Sequence, residues 1–157
     1  MRTRARHFLL AAFGLLPVAA FASGSGTCTY QDKKNTFTDA VAYQKPDPFD
    51  KNKKESMVAL STEKIDVTKF KASDDPDMAL LGMDGGLVKI RLGVGAVTSI
   101  YAYFPPGANI SNSGSPFGEL KLTRDDAGGV AGTFVLKGKA DDVSCDIRFD
   151  APFTPHK

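Results

Sequence analysis

The sequence predicts an all-β fold: a single-domain antiparallel β-sandwich or small closed barrel of about eight strands with one or two short helical turns. Three observations carry this. Apolar and polar residues alternate with a period of two over most of the chain, most clearly in Val143, Cys145, Ile147 and Phe149 against Ser144, Asp146, Arg148 and Asp150. Turn chemistry punctuates these runs at short intervals, as in Asp125-Asp126-Ala127-Gly128-Gly129. The only two cysteines, Cys28 and Cys145, fall in the first and the last apolar-alternating segments.

Residues 1–22 have the layout of an export signal. Arg2, Arg4, Arg6 and His7 form a basic start, Phe8 to Val18 an apolar stretch, and Ala20-Phe21-Ala22 a small-x-small cleavage site. The apolar stretch is too short for a permanent membrane span, so no transmembrane segment is expected after cleavage. Ser23 to Thr27 (Ser-Gly-Ser-Gly-Thr) read as a flexible leader, residues 28–153 as the β-domain and 154–157 as a frayed C-terminal tail. An exported chain meets an oxidising compartment, periplasmic or extracellular, and there Cys28 and Cys145 are expected to form a disulfide. Closing a loop of about 118 residues stabilises by about 4–5 kcal/mol in the chain-entropy picture.

Within the domain, Cys28 to Lys33 and Thr36 to Tyr43 flank Lys34-Asn35 as a hairpin, and Ser56 to Ser61 follows a loop over 44–54. Asp66 is placed to cap one helical turn over Val67 to Lys71, and Asp75-Pro76 to open another through Leu81. Val88, Ile90 and Leu92 start a strand that turns at Gly93-Val94-Gly95 into Val97 to Phe104. A long polar loop is expected from Pro105 to Gly118. Leu120 and Leu122 then alternate ahead of the turn into Val130 to Lys137.

Composition restricts the chemistry. The whole chain carries 20 basic and 18 acidic residues; removing Arg2, Arg4 and Arg6 leaves 17 against 18, a net −1. That interleaved near-neutrality gives no electrostatic footprint for nucleic acid. Past the signal a single histidine, His156, remains, which argues against imidazole catalysis and against a His-ligated zinc site; no cofactor is expected. Asp74, Asp75, Asp77 and Asp84, and likewise Asp47, Asp50, Asn52 and Glu55, are oxygen-rich but lack calcium-loop spacing, so they read as solvated turns. Glu119 with Asp146 or Asp150 would be a carboxylate pair for hydrolysis, yet each lies at an outward strand position.

Recognition is the expected use of Tyr101 and Tyr103. Ile100, Ala102 and Phe104 share one side of their strand, which leaves both tyrosines on the other, as a contact surface continued by 105–118. The other reading covers this strand on both faces, with the tyrosines packed and hydrogen-bonded. Asp74, Asp75 and Asp77 are the second candidate surface, an acidic loop suited to a cationic partner.

Ala40-Val41-Ala42-Tyr43, Lys45-Pro46-Asp47-Pro48-Phe49-Asp50 and Met57-Val58-Ala59-Leu60-Ser61 together resemble a pattern in secreted proteins of Gram-negative bacteria. Val130-Ala131-Gly132-Thr133-Phe134 and Phe149-Asp150-Ala151-Pro152-Phe153 are similar to the last hairpin of such exported β-domains. The resemblance implies a periplasmic or secreted β-domain and transfers no catalytic residue. Cys28-Thr29-Tyr30 also resembles the opening of small periplasmic lysozyme inhibitors, though the Ser-Gly-x-x-Tyr loop of one such group is missing. The expected function is non-enzymatic binding of a protein or envelope component. The alternatives are an inhibitor or immunity protein of a lytic envelope enzyme, a carboxylate-dependent hydrolase, and a barrel carrying a small apolar ligand.

Overall fold

A computed structural model describes residues 22–93, 96–138 and 143–157. Ten strands and two short helices make up these residues, and the strands form two antiparallel sheets. The first sheet takes β1 (Ser23–Tyr30), β2 (Lys33–Phe37), β8 (Glu119–Asp126), β9 (Gly129–Leu136) and β10 (Val143–Pro152), in the order β2-β1-β10-β9-β8. The second takes β3 (Asp39–Pro46), β4 (Lys54–Ser61), β5 (Leu87–Gly93), β6 (Ala96–Phe104) and β7 (Ala108–Phe117), in sequence order. The fold is a β-sandwich and not a closed barrel. The helices α1 (Val67–Ala72) and α2 (Pro76–Leu81) lie in the connection from β4 to β5.

Hydrophobic burial between the sheets drives the packing. Phe37, Leu60, Ile90, Phe134, Ile147 and Phe149 are among the buried side chains that fill this interior. β10 supplies Val143, Cys145, Ile147 and Phe149 to it while its alternate residues stay exposed, so the period-two pattern matches the burial residue by residue. The disulfide between Cys28 and Cys145 is formed, across adjacent strands with Cα atoms 4.1 Å apart. It staples β1 to β10 within one sheet.

Several boundaries differ from the sequence reading, each for a physical reason. Ser23 to Thr27 are not a free leader: they are the first half of β1 and pair with Asp146 to Asp150. Their glycines allow a close approach, because a Cβ on Gly24 would lie 2.6 Å from the Ala40 side chain, and one on Gly26 would lie 2.2 Å from the Asp146 carbonyl oxygen. The first hairpin turns at Gln31-Asp32, both with positive φ (47° and 62°), so Lys34 and Asn35 lie inside β2. Pro105 to Gly118 is not one long loop, since most of it is β7, paired with β6.

The C-terminal segment is docked as well. Phe153 bridges to Ala42 of β3, the Thr154 N–H donates to the Ala42 carbonyl at 2.7 Å, and His156 Nε2 lies 3.0 Å from the Gln44 carbonyl oxygen. His156 also meets the rings of Tyr43 and Phe70 edge-on. Residues 1–21 of the expected export segment and the residues Val94 and Gly95 of the expected Gly93-Val94-Gly95 turn lie outside the described residues. No described helix is long and apolar enough to cross a membrane.

Candidate functional site: a cleft beneath a helical roof

The outward face of the second sheet is not left to solvent. Alternation puts Val41 and Tyr43 (β3), Met57 and Ala59 (β4) and Leu87 (β5) on this face, and α1 and α2 cover them with Phe70 and Leu80. Asp66 caps α1 by accepting from the Lys69 N–H at 3.0 Å. Asp75 caps α2 by accepting from the N–H groups of Asp77 and Met78, with Pro76 at its first turn. Both caps are those expected from the sequence.

Asp77 fastens this roof to the sheet. It accepts from the Tyr43 hydroxyl, from Lys45 Nζ at 2.9 Å and from Lys89 Nζ at 2.9 Å. Burial opposes its charge, but the hydrogen bonds from Tyr43, Lys45 and Lys89 outweigh burial and hold its carboxyl at about 2. Burial, with the Asp77 carboxylate beside it, pushes the Tyr43 phenol well above its ordinary range. Lys89 also lies over the ring of Tyr101, 5.5 Å from its centroid. Tyr101 and Asp77, separate candidates in the sequence, are therefore joined through one lysine.

The roof is closed on its β3 side by His156 and open on its β6 side. There a cleft of about 350 Å³ runs between α2 and the outward residues of β6 and β7. Tyr101, Tyr103 and Leu87 line it from the sheet, Leu80, Leu81 and Met83 from the roof, and Asn109 and Asp84 supply polar groups. Tyr101 donates to Asn109 Oδ1 at 2.8 Å. Both tyrosines are half-buried: they pack against the roof and still reach the surface. Leu81 is 44 % exposed and Met78 on the same helix 63 %, which extends the apolar rim outward.

The acidic candidates separate. Asp75 is committed to capping and Asp77 to the lysines, while Asp74 stays exposed in the turn between the helices. Among the described residues no group of three or more His, Cys, Asp or Glu side chains is arranged to hold a metal ion. Asp47 turns inward on its own loop, its carboxylate held below the usual range by the N–H groups of Phe49 and Asp50. Glu55 pairs with Arg91 at 3.3 Å, and Asp150 pairs with Arg124 at 2.7 Å. Leu80, Leu81, Met83, Lys89 and Asn109 carry no site signal in the sequence, because nothing local says which strand a short helix will cover.

No family model matches this chain, and neither the curated proteins nor the solved structures contain a match.

Proposed function

We propose that this chain is an exported, non-enzymatic β-sandwich that binds a protein or an envelope component through the cleft between α2 and the β6–β7 face. The carrying observation is the amphipathic lining: two half-exposed tyrosines, three leucines and one methionine around one carboxamide and one carboxylate. Binding sites are typically concave, with a few placed polar groups that fix orientation. Aromatic side chains that offer a ring and a hydroxyl are favoured where one end stays wet. The disulfide supports an oxidising compartment, periplasmic or extracellular.

The rival readings draw less support. An acidic plug for a cationic lytic enzyme needs free charge, yet Asp77 is neutralised by Lys45 and Lys89. Hydrolysis by paired carboxylates needs two acids facing one substrate, and the cleft lining contributes Asp84 alone. A carrier needs a hollow interior, and the space between the sheets is packed with side chains.

The test is recovery of partners from envelope extract by the immobilised, oxidised protein and by a Leu81→Ser/Tyr103→Ser variant. The expected result is a reproducible partner held by the former and lost by the latter. Equal recovery by both proteins would remove the cleft from the reading. Polymer turnover that disappears with Asp84→Asn would remove the non-enzymatic part.

A further inference from the structure

The turn between β3 and β4 presents the most exposed large apolar side chain among the described residues. Phe49 is 93 % exposed, at the tip of Lys45-Pro46-Asp47-Pro48-Phe49-Asp50-Lys51-Asn52-Lys53-Lys54. Water contact on a whole phenyl ring is unfavourable, and a mobile loop would be free to fold such a ring back. This loop is braced instead. Asp47 Oδ1 accepts from the N–H groups of Phe49 and Asp50 at 2.7 and 2.9 Å. The Asp47 N–H donates to the Lys53 carbonyl at 3.0 Å, and the Lys53 N–H donates to that of Asp50 at 2.8 Å. Prolines at 46 and 48 restrict the backbone further. The turn that carries the ring is thus fixed at the backbone, and the ring on it is exposed.

Its surroundings define the partner. Lys51, Lys53 and Lys54 are all exposed around the tip, and of these Lys53 pairs with Asp50 at 3.3 Å. Protein–protein interface cores are depleted in lysine, and a stable one buries a broad patch, whereas this tip is a narrow convex wedge. Lys51, Lys53 and Lys54 outnumber the acidic neighbours of the ring, Asp47 and Asp50, the latter paired with Lys53. An apolar tip with that basic excess matches the interface of an anionic bilayer, where the ring enters the acyl boundary and the long lysine stems reach back to the headgroups. We infer that the β3–β4 tip is a membrane-surface anchor, with Phe49 as the inserted group and Lys51, Lys53 and Lys54 as the electrostatic contacts to anionic lipid. The inference is independent of the cleft, which lies on the outward sheet face between α2 and β6–β7.

The experiment is co-sedimentation of the exported, oxidised protein with vesicles of phosphatidylglycerol and phosphatidylethanolamine, and with vesicles of phosphatidylcholine alone. Binding to the anionic vesicles is expected to weaken as salt rises. Phe49→Ser is expected to reduce it about tenfold or more, from the lost ring burial. Lys51→Ala/Lys53→Ala/Lys54→Ala is expected to remove the preference for anionic lipid. Because the chain contains no tryptophan, Phe49→Trp gives a single fluorophore whose emission should shift to the blue on adding anionic vesicles. An unchanged thermal midpoint in each variant shows that folding is intact, as expected at exposed positions. Absent vesicle binding, binding indifferent to Phe49→Ser, or an emission shift seen only with envelope protein and not with vesicles would each overturn the inference.

Discussion

The two faces of the β3–β7 sheet are built to opposite plans. The inward face packs on the β1–β10 sheet through aliphatic and aromatic side chains, with a covalent cross-link in the facing sheet. The outward face buries a smaller cluster under two helices of six residues each, and a polar knot of Tyr43, Asp77, Lys45 and Lys89 holds the cover. Helices this short have little stability of their own and persist through packing and caps. The difference teaches that the inner face fixes the fold, while the outer one carries a removable cover beside the cleft. Elements held by few buried contacts open locally at low free energy, as binding surfaces commonly do.

Breaking the cross-link should have the largest effect, and it should act everywhere. Cys28→Ala/Cys145→Ala is expected to lower unfolding free energy by about 5 kcal/mol, read from denaturant unfolding with the m-value fitted separately for each protein, since the uncrosslinked chain unfolds to a more open state. Phe70→Ala sharpens the contrast. A cost of about 3 kcal/mol is expected there, and amide exchange should show α1 and α2 losing protection while β1, β9 and β10 keep theirs. Equal loss in strands and helices would merge the two cores into one.

The polar knot gives the next effect, with a defined pH dependence. Asp77 is held at about 2 in the folded protein, below the ordinary aspartate value of 3.8. Its contribution is therefore present above about pH 4 and lost as pH falls toward 2. Its size is on the order of 2 kcal/mol. Stability measured across that window should slope in the native protein and flatten by this amount in Asp77→Asn. Tyr101→Phe, which removes the hydroxyl donated to Asn109, should cost about 1 kcal/mol or less.

Much of this architecture was legible in the residues, and the misses have a common cause. β10 could be read because its alternation reports a strand with one buried and one wet face, and both helix caps because Asp66 and Asp75-Pro76 act through local hydrogen bonds. β7 was hidden because an edge strand of Asn, Ser and Gly has no apolar rhythm; its order comes from pairing with β6. Ser23 to Thr27 were hidden for the same reason, being ordered by β10 and by the need for glycine where backbones touch. At the site, the outward direction of Tyr101 and Tyr103 followed from pleating alone. Their roof did not, since placing Leu80 and Leu81 above them requires knowing where a long connection lands.

The cleft is tested most directly by placing a photo-crosslinking residue at Leu81, on the roof, and separately at Thr123, on the exposed face of β8, in cells that make and export the protein. Crosslinking at Leu81 to one reproducible partner, with none at Thr123, is the predicted result. Capture of the same partner at Thr123, with nothing at Leu81, would contradict the assignment of the contact surface to the helix-covered face.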